Sequence, residues 1–249
     1  MKQLVSTEWL EKKIDEVKIL DASWHLPNSN RNAAEEYKIN HIKNSIFFDI
    51  DKYSNQNSTL PHMLPTKKDW EDIVSSLGIK NSDHIIVYDN SEVFSACRVW
   101  YTFIYFGHDP NLVSVLNGNF NKWLNEKKPT SKDILKIVKS EYKAVEDTSL
   151  VINKDQVNKN IKNQKFQLID ARSEKRFLGL QPEPRKELKS GHIEGSKNIP
   201  FQLLINEDRT FKKSDELIKI FKMKEISIDK DMAFTCGSGV TACILGLAN

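Results

Sequence analysis

Two stretches of this chain, about 150 residues apart, run through the same motifs in the same order. The first reads VKILDASWHLP, then EYKINHIKNSIFFDID, then DHIIVYDNSEVFSACRVWYTFIYFG. The second reads FQLIDARSEKRF, then KSGHIEGSKNIPF, then KDMAFTCGSGVTACILGLAN. Asp21 pairs with Asp170, His41 with His192 and Cys97 with Cys243, at separations of 149, 151 and 146 positions. A drift this small means two copies of one domain. A chain of 249 residues has room for both. The copies span residues 1–125 and 150–249. Between them lies a charged stretch, EKKPTSKDILKIVKSEYKAVEDTS at 126–149, which holds Pro129, lacks a clean apolar period and reads as a linker.

Each copy has one grammar. A short apolar run ends in Asp-Ala, a polar helix-prone stretch leads to His-Ile, and a second short strand follows. Then come an amphipathic helix (KKDWEDIVSSLG or SDELIKIFKMK), a β-rich run (HIIVYD or MAFTC), a loop and another helix. Short apolar strands alternating with helices predict an α/β fold: in each domain, a parallel sheet with helices on both faces. Ligands on such sheets bind beyond the carboxyl ends of the strands, which places the loops after Tyr88 and Thr235 at the candidate site.

Charge and cysteine usage narrow the function. The net charge of +3 comes from 37 basic and 34 acidic residues and gives no reason to expect nucleic acid. No apolar run approaches the length of a membrane span. The opening MKQLVSTEWLEKKIDEV has no signal core, so a cytoplasmic protein is expected. Three cysteines without a CxxC pair argue against zinc or a disulfide framework. No metal and no organic cofactor is expected.

The chemistry points to Cys236. It follows a strand and precedes a helix, and Gly237, Ser238 and Gly239 let the backbone close around its sulfur. Several N–H groups can then converge there, with the start of a helix at Val240, Thr241 and Ala242 behind them. Such a cradle favours a thiolate. Cys97 and Cys243 instead fall at matching places inside helices, beside Ala96 and Ala242, as core residues would. The first copy's loop, NSEVFSAC, puts Asn90 where Cys236 stands, so that copy lacks the thiol and reads as the inactive one.

The segments CGSGVTAC, DARSEKRF, PEPR, SGHIEGSKNIPF and LPHMLP, with FSACRVW and VSVLNGNFNKW in the first copy, resemble the tandem-domain rhodanese sulfurtransferases from Leu20 to Ala248. The Cys-Gly-Ser-Gly loop is similar to that of the 3-mercaptopyruvate branch; the thiosulfate branch has a basic loop there. The resemblance implies that Cys236 takes sulfur from 3-mercaptopyruvate as a persulfide and hands it to cyanide, a small thiol or a thioredoxin-like protein. It also implies that Arg176 and Arg185 bind the donor, whose carboxylate suits arginine forks. Gly237, Gly239, Val240 and Thr241 would complete the donor site. Ser238 would act in proton transfer, coupled to His62 and Asp51. His41 and His192 recur in both copies, although only one copy has the thiol, and so read as structural.

Thiosulfate as donor is the main alternative. A cysteine phosphatase would need Arg at position 242, which is Ala242. An interaction-only module would have no use for the thiol. By internal symmetry, about two dozen residues that follow Cys97 in the first copy have no counterpart after Cys243, and a longer natural protein is expected.

Overall fold

The apolar tetrapeptides that open each repeat are strands, and each pairs with the β-rich run of its own copy. In the computed structural model, which describes residues 3–185 and 188–249, the chain divides into two units. One comprises the residues up to Thr148 together with Asp208–Thr210; the other comprises Ser149–Glu207 and Phe211–Asn249.

The first unit has strands β1 (Leu4–Val5), β2 (Lys18–Asp21), β3 (His41–Ile42), β4 (Ser45–Phe47), β5 (Ile85–Tyr88), β6 (Val113–Leu116) and β7 (Thr130–Ser131). Its helices are α1 (Thr7–Lys13), α2 (Ala33–Ile39), α3 (Lys67–Ser76), α4 (Ala96–Tyr105) and α5 (Asn119–Asn125). Five strands make one parallel sheet in the order β1-β6-β5-β2-β4. β5 reads IIVY and all four residues are buried, as expected of a central strand covered on its faces. β3 and β7 form a separate antiparallel ribbon. Thr66 caps α3 by accepting the Asp69 N–H, and Trp70 on that helix is fully buried, stacked on Phe106.

Residues 126–148, which the sequence presents as a linker, lie along the first unit. Ser140 N–H donates to the Ser75 carbonyl at 2.9 Å, Val145 N–H to Phe106 at 3.0 Å and Asp147 N–H to Tyr105 at 2.8 Å. Tyr142 is 1% exposed, a burial worth about 2 kcal/mol. Gly107 accounts for the close approach: its φ is 76°, and a Cβ there would stand 2.6 Å from the Val145 carbonyl oxygen. The charges of this stretch do not free it from the domain, because its backbone N–H groups have partners there.

The second unit runs through α6 (Lys154–Asn163), β8 (Gln167–Asp170), α7 (Glu174–Phe177), β9 (Lys197–Asn198), α8 (Ser214–Met223), β10 (Met232–Thr235) and α9 (Ala242–Ala248). Asn153 and Gln156 form a capping box at the start of α6. The sheet is parallel in the order β10-β8-β9. It repeats the β5-β2-β4 part of the first sheet, and among the described residues no strand pairs with the other side of β10. Ile244 and Leu245 of α9 are fully buried. Both units are α/β with a parallel sheet flanked by helices. Among the described residues, no helix is long and apolar enough to cross a membrane.

Candidate active site

In each unit the register of the two central strands fixes where the loop begins. Thr235 is opposite Asp170, as Tyr88 is opposite Asp21. The chain leaves each sheet in the same way: Ala171 N–H donates to Thr235 O at 2.9 Å and Ala22 N–H to Tyr88 O at 2.8 Å. The next residue is Cys236 in one unit and Asp89 in the other. The sequence repeat, aligned on Cys97 and Cys243, placed Asn90 opposite the thiol. The strands correct this to Asp89, because residues 89–95 join β5 to α4 whereas only 236–241 join β10 to α9. The first copy's loop is one residue longer.

Cys236 is partly exposed, whereas Cys97 and Cys243 are buried, and all three are free thiols. Gly239 N–H donates to Cys236 Sγ at 3.2 Å. Gly239 has φ 73°, a left-handed conformation that turns its amide inward. The sequence suggested several amides on this sulfur; among the described residues it accepts this one. Cys243 Sγ–H donates to the Gly239 carbonyl at 3.3 Å and so braces the loop from α9. Ser238 is partly exposed. Val240 is 2% exposed, so its side chain belongs to the core and only its backbone can face a ligand. Thr241 is the residue before α9 and makes no side-chain cap bond.

Two guanidinium groups approach the loop at Gly237. Arg185 Nη2 donates to the Gly237 carbonyl at 2.8 Å. Arg176, on α7, brings Nη2 to 3.2 Å from where a Cβ on Gly237 would stand. Any larger residue at 237 therefore meets Arg176. The sequence reading missed what holds Arg176. Glu183 Oε1 accepts from Arg176 Nε at 3.0 Å and Oε2 from Nη2 at 2.5 Å. Glu183 Oε1 also accepts from Arg172 Nη1 at 2.9 Å. Arg172 in turn grips Asp170 through Nε and Nη2 and donates to the Gly191 carbonyl at 2.8 Å. The hydrogen bond from Arg176 comes first among the effects that hold the Glu183 carboxyl below its usual range. A signal was present in the sequence: an acid among three arginines, pinned between Pro182 and Pro184.

His62 and Asp51 belong to the first unit and form a pair there. His62 Nε2 lies 2.9 Å from Asp51 Oδ1, and Trp24 Nε1 donates to Asp51 Oδ2 at 2.9 Å. Trp24 meets the His62 ring edge-on at 4.9 Å. The hydrogen bond from His62, with that from Trp24, holds the Asp51 carboxyl below its usual range. His62 Nδ1 is buried and has no partner among the described residues. The repeated histidines have matching surroundings: His41 stacks on Tyr37 and bonds its carbonyl through Nδ1, and His192 does the same with Phe177.

The comparisons with known proteins decide the family. The model of the rhodanese-like domain matches residues 6–126 and again 153–248. The chain belongs to the tandem-domain rhodanese family. The 3-mercaptopyruvate sulfurtransferase of Mus musculus is 39% identical over 96% of this rhodanese and 83% of its own length. The thiosulfate sulfurtransferase of Cricetulus griseus is 41% identical over 98% of the chain and 84% of its own. The crystal structure of SseA from Escherichia coli, described among 3-mercaptopyruvate sulfotransferases, superposes with a TM-score of 0.90 at 35% identity, covering 100% of this chain and 93% of that one. These relatives are sulfur-transferring enzymes, and their names divide between two donors at nearly equal identity.

Proposed function

We propose that this rhodanese moves sulfur from 3-mercaptopyruvate, through a persulfide on Cys236, to a thiol or cyanide acceptor. The observation that carries the reading is a partly exposed cysteine whose sulfur accepts a backbone N–H, in a loop bonded by Arg185 and closely approached by Arg176. The Cys236 thiolate attacks the donor's sulfur. The carbon–sulfur bond breaks, and its electron pair leaves with carbon as the enolate of pyruvate, which then takes a proton. The acceptor attacks the outer sulfur of the persulfide, the S–S bond breaks, and the Cys236 thiolate returns. Arg185 and Arg176 receive the donor's carboxylate. Ser238 serves the proton transfer. A thioredoxin-like protein is the acceptor class that suits a protein-bound persulfide.

Mercaptopyruvate is favoured over thiosulfate because Gly237, Ser238 and Gly239 add no positive charge beside the sulfur. Turnover with each donor tests this. The ratio of kcat/KM should favour mercaptopyruvate, and Cys236→Ser should lose transfer from both donors while Cys97→Ser keeps most of it. A higher ratio for thiosulfate would reverse the donor assignment, and a fully active Cys236→Ser would end the persulfide reading.

A further inference from the structure

The segment from α7 to Arg185, which carries the donor-facing arginines, also carries a buried acid for which the transfer chemistry has no use. Glu183 has 2% of its side chain exposed, and both carboxylate oxygens are engaged. It joins Arg172 to Arg176, and Arg172 is itself held by Asp170. Charges therefore alternate along Asp170, Arg172, Glu183 and Arg176 and formally cancel. An enzyme that only needed positive charge near its nucleophile would gain from leaving Glu183 out.

We propose that Glu183 is a positioning residue that selects the donor: it fixes Arg176 beside the Cys236 loop and cancels its charge, so that a singly charged donor is preferred to a doubly charged one. This rests on the sulfur-transfer reading. The geometry gives two consequences. Glu183 occupies the Nε–Nη2 edge of Arg176, the edge on which a carboxylate would otherwise form two parallel hydrogen bonds. A donor therefore meets the other end of the guanidinium, at Nη1, held in one place. The second consequence is electrostatic. In a partly buried site, removing one negative charge strengthens the attraction for an anion in proportion to the anion's own charge. Thiosulfate carries two charges and 3-mercaptopyruvate one. Replacing Glu183 by a neutral residue then favours thiosulfate, while loosening Arg176 weakens the orientation of mercaptopyruvate.

The experiment measures kcat and KM for both donors in wild type, Glu183→Gln and Glu183→Asp, with the fold checked by circular dichroism. In Glu183→Gln the thiosulfate-to-mercaptopyruvate ratio of kcat/KM should rise about tenfold, equivalent to about 1.4 kcal/mol. Glu183→Asp keeps the charge but cannot span both arginines. Its donor ratio should rise by no more than about threefold, through a KM for mercaptopyruvate raised by about that factor, with kcat and the thiosulfate constants little changed. Where the Gln variant does not fold, the Asp variant decides alone. A parallel loss with both donors in either variant would mean that Glu183 only holds the loop together, and would overturn the proposal. So would a ratio that moves equally in Gln and Asp, since charge would then be irrelevant. A wild-type chain that turns over neither donor overturns the sulfur-transfer reading, and donor selection with it, before any variant is compared.

Discussion

Asp89 and Cys236 follow equivalent strand ends and meet opposite conditions. Asp89 is 1% exposed; its Oδ1 accepts from Ser91 N–H at 2.9 Å and its Oδ2 from Ala96 N–H at 2.7 Å. Burial pushes its carboxyl up to about 7, against the lowering effect of those two amides. The direction fixes the pH dependence. Between about pH 4 and pH 7 the folded chain holds a proton on Asp89 that the unfolded chain has released, so this group's contribution to stability falls as pH rises, by at most about 1.4 kcal/mol per pH unit, and is level above the folded value. Asp21 is also pushed up by burial and tilts the curve the same way. An Asp89→Asn chain resembles the protonated acid at every pH. Its unfolding free energy in urea should therefore vary less between about pH 4 and pH 7 than that of wild type, with the gap between the two widening in the variant's favour as pH rises. Parallel curves would show that Asp89 ionises in the fold as it does in water.

The Cys236 loop works as an element because one glycine conformation aims one amide. Gly239 has φ 73° and its N–H reaches Sγ at 3.2 Å. Gly239→Ala should cost about 1–2 kcal/mol if the left-handed conformation is kept. Relaxing that strain would swing the amide off the sulfur. Alkylation of Cys236 by iodoacetamide at neutral pH should slow in this variant, with kcat/KM for transfer falling about tenfold; an unchanged alkylation rate would mean the amide does not govern the sulfur. At this scale much was legible in the sequence. The strand-ending Asp-Ala pairs, the amphipathic α3 and α8 and the glycine-rich loop after β10 all carry local signals of period or turn chemistry. Less legible was whatever depends on register. Only the strand pairing shows that Asp89, not Asn90, is level with Cys236. Arg172 and Glu183 did not stand out, because a sequence does not say which charges are buried together. Residues 126–149 looked like a linker because charge dominates their composition, which reports neither the backbone hydrogen bonds of 126–148 nor the burial of Tyr142.

Across the whole chain, the two copies present different groups at equivalent strand ends. The matched stacking of His41 on Tyr37 and His192 on Phe177 makes Glu36 the counterpart of Arg176. Glu36 faces the first copy's loop, where Asn90 Nδ2 donates to it at 3.3 Å, while Arg176 approaches Gly237 in the second. The side chain at that place is thus an acid, itself forked by Arg31, and Asp89 fills the place of the thiol. Restoring the sulfur alone should not restore a site, because a thiolate at position 89 would be buried with the Asp21 carboxylate acting against its charge and without counterparts of Arg176 and Arg185 on the loop. Asp89→Cys treated with donor should therefore gain one sulfur atom per chain by intact mass, the same as wild type, and the double variant Asp89→Cys, Cys236→Ser should gain none. Two sulfur atoms in the single variant, or one in the double, would show that the strand-to-helix turn makes a sulfur carrier without the arginines. The acid at Glu36 would then have no part in the difference between the copies.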